Sequence, residues 1–97
     1  MKLRFTPRAT SDLTEIADFI RAESPQGARR VRDAILNSLQ VASAFPRIGR
    51  RQSIDGVRKL MTRRYGYIVY YTLDVGLDEF VVLSIQHPAR ARPMQDE

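Results

Sequence analysis

The stretch SPQGARRVRDAILNSLQVASAFP, residues 24–46, decides the architecture. It opens on Ser24-Pro25, where a serine oxygen can accept the free N–H groups of a first helical turn and proline fits that turn's φ. Ala28, Val31, Ile35, Leu39 and Ala42 follow at three- and four-residue spacing and form one apolar stripe, with Arg29, Arg30 and Arg32 mainly outside it. Pro46 ends the helix by disfavouring helical geometry at Phe45. Upstream the same punctuation occurs: Thr6-Pro7 precedes Ala9, Leu13, Ile16, Ala17 and Ile20, a second stripe. Asp12, Glu15 and Asp18 lie near that helix's start, where they suit its positive end. Two helices separated by so short a break run antiparallel, as an αα-hairpin.

Working outward, Leu3 and Phe5 alternate with Lys2 and Arg4, which predicts a short first strand. Between residues 45 and 56 the periodicity disappears, and Pro46, Gly49 and Gly56 mark a connecting loop with its backbone turns. Strand-like segments follow at 57–62, 67–73 and 80–86, the last two rich in aromatic and β-branched residues. Residues 74–78 read as a hairpin loop. The order β-α-α-β-β-β implies an α+β fold: a small, mainly antiparallel sheet packed on one face by the helical hairpin, with the other face open to a ligand or partner. Tyr67, Val69 and Tyr71 share one strand face and Ile68, Tyr70 and Thr72 the other, so Tyr67 and Tyr71 are expected in the core.

The chain has 97 residues, enough for one domain, and no internal repeat or flexible linker divides it, so residues 1–97 read as a single unit. An apolar content of 43% excludes a disordered chain. With no cysteine, disulfides and thiolate metal sites are excluded, and one histidine makes no His-rich site. No metal or cofactor is therefore expected. The apolar runs are too short for a membrane span, and Met1-Lys2-Leu3-Arg4-Phe5 leads too soon to Asp12 and Glu15 for a signal peptide. A cytoplasmic protein without membrane contact is expected.

The formal charge of +5 is not spread evenly. Arg47, Arg50, Arg51, Arg58, Lys59, Arg63 and Arg64 fall between Phe45 and Tyr65, opposed there only by Asp55. The remainder of the chain is slightly acidic, so one loop and one strand carry the electrostatic character. Such a cluster attracts phosphate backbones or an acidic protein segment, and arginine suits paired hydrogen bonds to either.

In order and spacing, several fragments together resemble the RelE/ParE superfamily of toxins from bacterial type II toxin–antitoxin modules, also labelled plasmid-stabilisation proteins. They are Ala9, Asp12, Leu13 and Ile16 after the opening strand; Ser24-Pro25 and Ala28; Phe45-Pro46-Arg47-Ile48-Gly49-Arg50; Gly56-Val57-Arg58-Lys59-Leu60; Tyr67-Ile68-Val69-Tyr70-Tyr71; and the ending Val82-Leu83-Ser84-Ile85-Gln86-His87-Pro88-Ala89-Arg90. The resemblance runs nearly end to end. It implies a growth-inhibiting toxin held inactive by a cognate antitoxin, whose extended or helical, often acidic, segment wraps the toxin. For the target it implies two alternatives: ParE-like members inhibit DNA gyrase without established RNA cleavage, and RelE-like members cleave mRNA on the ribosome. The His-x-x-Arg ending, His87 to Arg90, looks more like ParE-type members. Poisoning of gyrase is the leading expectation, a metal-independent ribosome-dependent endoribonuclease the second, and an inactive homologue that only binds its antitoxin the third.

Metal-free RNA cleavage needs the 2′-hydroxyl deprotonated, the phosphorane charge stabilised and the leaving oxygen protonated. Arg58, Lys59, Arg63 and Arg64 are candidates for the charge, with His87 or a tyrosine as acid or base and Arg90 beside them if the last strand ends near the second. Against this, His87 shares strand parity with Val81, Leu83 and Ile85, which suits a rim residue of the core. Whether or not the protein is an enzyme, the residues expected to meet the target are Arg47, Arg50, Arg51, Arg58, Arg64, Tyr65, His87 and Arg90. Tyr65 could stack on a base or anchor a turn.

Overall fold

The computed structural model describes residues 1–90. Both helices start where their capping residues stand: α1 (Pro7–Arg21) on Thr6, whose side chain accepts from the Ala9 N–H, and α2 (Pro25–Ala44) on Ser24, which accepts from the Gly27 N–H. The strands are β1 (Lys2–Phe5), β2 (Arg50–Arg51), β3 (Val57–Met61), β4 (Ile68–Asp74) and β5 (Glu79–Gln86), followed by a 3-10 turn at Pro88–Arg90. They form one sheet in the order β1-β5-β4-β3-β2, antiparallel throughout except for the β1–β5 pair.

Residues of both helical stripes meet one face of this sheet. Ala9, Val31, Ile35, Leu39 and Ala42 are buried with Tyr67, Val69, Tyr71, Phe80, Val82 and Ile85, and Leu13, Ile16 and Ile20 pack against them. The Tyr71 and Phe80 rings stack with centroids 4.1 Å apart. The opposite face is less open than the layer argument expects. Val57, Ile68 and Tyr70 are buried there as a second cluster, with Leu83 packed against them.

Three expectations need correction. The 45–56 segment holds a strand: Arg50 and Arg51 pair with Lys59 and Arg58 as β2. Two arginines have no apolar alternation, so no periodicity announces them. The acidic residues of α1 do not sit in its first turn. Asp12 instead accepts a hydrogen bond from the Ile85 N–H at 3.0 Å. The third correction explains that bond. Tyr70 pairs with Ser84 but Tyr71 with Val82, so Leu83 is the extra residue of a bulge in β5. A bulge leaves ladder groups unpaired, and α1 supplies the partners: Thr6 Oγ1 donates to the Leu83 carbonyl at 3.1 Å, and Asp12 takes the Ile85 N–H. Side-chain parity therefore flips along β5. Val81 and Leu83 do not share a face with Ile85, and the strand parity grouping all three with His87 fails.

Candidate functional site

The segment joining α2 to β3 is held by one buried phenol. Tyr71 Oη donates to the Pro46 carbonyl at 2.7 Å and accepts from the Gly49 N–H at 2.9 Å. A Cβ on Gly49 would lie 2.5 Å from that oxygen, so close approach explains the glycine. Arg58 completes the clamp, donating to the Gly49 carbonyl at 2.9 Å and to the Arg47 carbonyl at 3.2 Å. Burial raises the Tyr71 phenol above its usual range, with the Gly49 bond and the Arg58 charge pulling the other way, and burial raises Tyr67 as well. Both phenols stay neutral near pH 7.

With the segment fixed, a cleft of about 1050 Å³ opens between α2 and the β2–β3 side of the sheet. Arg30, Arg50, Lys59, Arg63 and Arg64 line it, against one acid, Asp33. Among the described residues, the arginines that form ion pairs are Arg4, Arg8, Arg21 and Arg32, and no cleft cation has a carboxylate partner. Asp33 itself lies 3.8 Å from Arg32. Apolar side chains share the lining, and Val41, Ile48 and Met61 are exposed there at 59, 65 and 63%. The cleft thus offers unpaired positive charge around apolar surface, the combination that suits an acidic amphipathic segment.

Of the residues expected from sequence, Arg50, Lys59, Arg63 and Arg64 come together in the cleft. Arg47, Arg51 and Tyr65 are exposed outside its lining, and Arg58 spends its guanidinium on backbone carbonyls. His87 is exposed too, edge-on to the Tyr67 ring at 5.5 Å, with Nδ1 accepting from the Ala89 N–H. It is not among the cleft residues. The Arg90 side chain lies outside the described residues. What sequence reasoning missed is the contribution of α2: Arg30, Ala34, Asn37, Ser38 and Val41 line the cleft. Their helical spacing, beside the core stripe, was the available signal.

The family model for the ParE toxin of type II toxin–antitoxin systems, parDE, matches residues 3–92. The chain belongs to that family. A protein of Sinorhizobium fredii named "Putative toxin Y4kP" is 27% identical to this ParE-family toxin over 92 residues, covering 95% of this chain and 93% of its own. The chromosomal ParDE system from P. aeruginosa contains a chain with a TM-score of 0.75 and 24% identity, covering 90% of this chain and 95% of its own. The intact E. coli RelBE toxin–antitoxin complex contains one with a TM-score of 0.68 and 21% identity, covering 92% and 98% respectively. The two structures share the fold of the ParE-family toxin, helices on one face of a mostly antiparallel sheet. No helix among its described residues is long and apolar enough to cross a membrane.

Proposed function

We propose that this toxin arrests bacterial growth in the cytoplasm by binding and poisoning DNA gyrase, and that a cognate antitoxin neutralises it by seating an acidic amphipathic segment in the cleft. The observation that carries the choice of binding over cleavage is that neither the histidine nor any tyrosine, the acid and base candidates of the nuclease reading, lines the cleft with the cations. Among the described residues, the cleft holds five cations and neither a histidine nor a tyrosine. Cleavage with an imidazole or phenol as acid or base would need that group and the cations within hydrogen-bond reach of one phosphate. Tyr71 is tied into the clamp, Tyr67 and Tyr70 are buried, and Tyr65 and His87 lie outside the lining. Arg58, a candidate for phosphate in the nuclease reading, is a structural donor. The antitoxin reading is supported by the unpaired charge and exposed apolar surface of the cleft, and by the ParDE and RelBE neighbours being toxin–antitoxin systems.

The test expresses the toxin and follows chromosomes and transcripts together. Broken chromosomes with intact messages are expected, together with inhibition of purified gyrase. Codon-linked mRNA cuts without DNA damage would establish the RelE-type nuclease instead. Undisturbed growth beside tight antitoxin binding would leave an inactive homologue.

A further inference from the structure

The turn between β3 and β4 keeps a tyrosine where tyrosine is a poor choice. Tyr65 has φ +68° and the following Gly66 φ +65°. Glycine, asparagine and aspartate enter this left-handed region readily; a bulky residue there is an outlier that its surroundings must hold in place. The holding is done by Thr62, which is 2% exposed. Its Oγ1 donates to the Arg64 carbonyl at 2.7 Å and accepts from the Tyr67 N–H at 2.9 Å, while its N–H donates to the Tyr67 carbonyl at 2.8 Å. The Tyr65 side chain contributes nothing to this frame. Tyr65 is 45% exposed, its hydroxyl has no hydrogen-bond partner among the described residues, and the Arg64 guanidinium lies 5.4 Å from its ring centroid.

Backbone strain without structural return points to a use outside the fold. We infer that this turn is a contact the toxin makes with its protein target, with Tyr65 as the anchor that enters an apolar recess rimmed by acidic groups. The inference rests on the reading of the protein as a growth-arresting toxin with the antitoxin in the cleft. Met61, at the rim where the cleft meets the turn, has its Sδ 3.8 Å from where a Gly66 Cβ would sit. Methionine, tyrosine and arginine are the residue types enriched at the centres of protein interfaces. A nucleic-acid backbone could be tracked by Arg63 and Arg64 alone, without an aromatic ring on a strained backbone or an exposed thioether. The target is favoured over the antitoxin because Arg63 and Arg64 line the cleft and Tyr65 does not. A segment filling the cleft would cover the two arginines and leave the ring outside.

The experiment compares the full chain with Tyr65→Asn and Tyr65→Gly, both suited to positive φ. Three readouts are taken: growth arrest on induction, thermal midpoint of the purified toxin, and capture by purified antitoxin. Each variant is expected to melt about 4–8 °C higher, to bind antitoxin as before, and to lose potency roughly 30-fold, the effect of removing one interface anchor. Undiminished growth arrest overturns the inference. So does a midpoint that fails to rise in both variants, or antitoxin capture that falls with potency. Binding of a single-stranded DNA oligonucleotide that Tyr65→Asn abolishes would transfer the turn to nucleic acid, against the inference. A parent chain that arrests growth but leaves purified gyrase unaffected refutes the gyrase reading alone, since the growth comparison still judges Tyr65.

Discussion

Tyr71 shows how one side chain can serve the core and the site together. Its ring stacks on Phe80 inside the main cluster, and its oxygen fixes the backbone at Pro46 and Gly49. Replacing it with phenylalanine leaves that N–H and carbonyl without their partner, at about 1–3 kcal/mol near neutral pH. The raised phenol also sets a pH dependence. The folded state favours the neutral form, so the unfolded chain releases this proton first. The resulting stabilisation is complete below the ordinary tyrosine value of 10.0 and is lost as pH rises through the folded value. Urea unfolding followed from neutral to strongly alkaline pH should show stability falling from about pH 10 upward, and less steeply in Tyr71→Phe. Equal slopes in the two proteins would mean that Tyr71 titrates normally. The burial of Tyr71 was legible from strand parity; its bond to Gly49 was not, because it joins residues distant in sequence across a loop without periodicity.

At the scale of elements, α2 does two tasks with two stripes. Ala28, Val31, Ile35, Leu39 and Ala42 are all buried, as the spacing predicts, while Arg30, Asn37 and Val41 line the cleft. Leu39 is fully buried, so Leu39→Ala should cost about 2–5 kcal/mol through the cavity it leaves, read as a lowered denaturant midpoint. Helix starts were legible because Thr6-Pro7 and Ser24-Pro25 act locally, on the next turn of their own chain. The β5 bulge was not, because the run from Phe80 to Gln86 reads equally well in either register. Its position shows only with the partners that accommodate it, Thr6 and Asp12, more than seventy residues away. The cleft escaped for a similar reason: the arginine cluster in sequence supplied one wall, and nothing in it named the helix that supplies the other.

For the whole molecule the charge distribution is decisive. The sequence excess between Phe45 and Tyr65 divides in space, part entering the cleft and part, in Arg58, bracing the loop. Five cations on one concave surface, none with a carboxylate partner among the described residues, should steer an acidic antitoxin segment. Its association rate is expected to fall at least about tenfold as salt rises from roughly 0.05 to 0.5 M, with a smaller change in dissociation. Stopped-flow mixing checks this, and an association rate indifferent to salt would remove charge steering from the account.

The parallel pairing of β1 with β5 has a temporal consequence. On the ribosome β1 finds its partner only when Glu79–Gln86 has also emerged, and β5 lies between β1 and β4. Until then the helical hairpin has no finished surface to rest on, and the bulge that binds Thr6 and Asp12 does not exist. A nascent chain interrupted before β5 leaves β1 without its partner and one edge of β4 uncovered, so the sheet closes only when that strand is made.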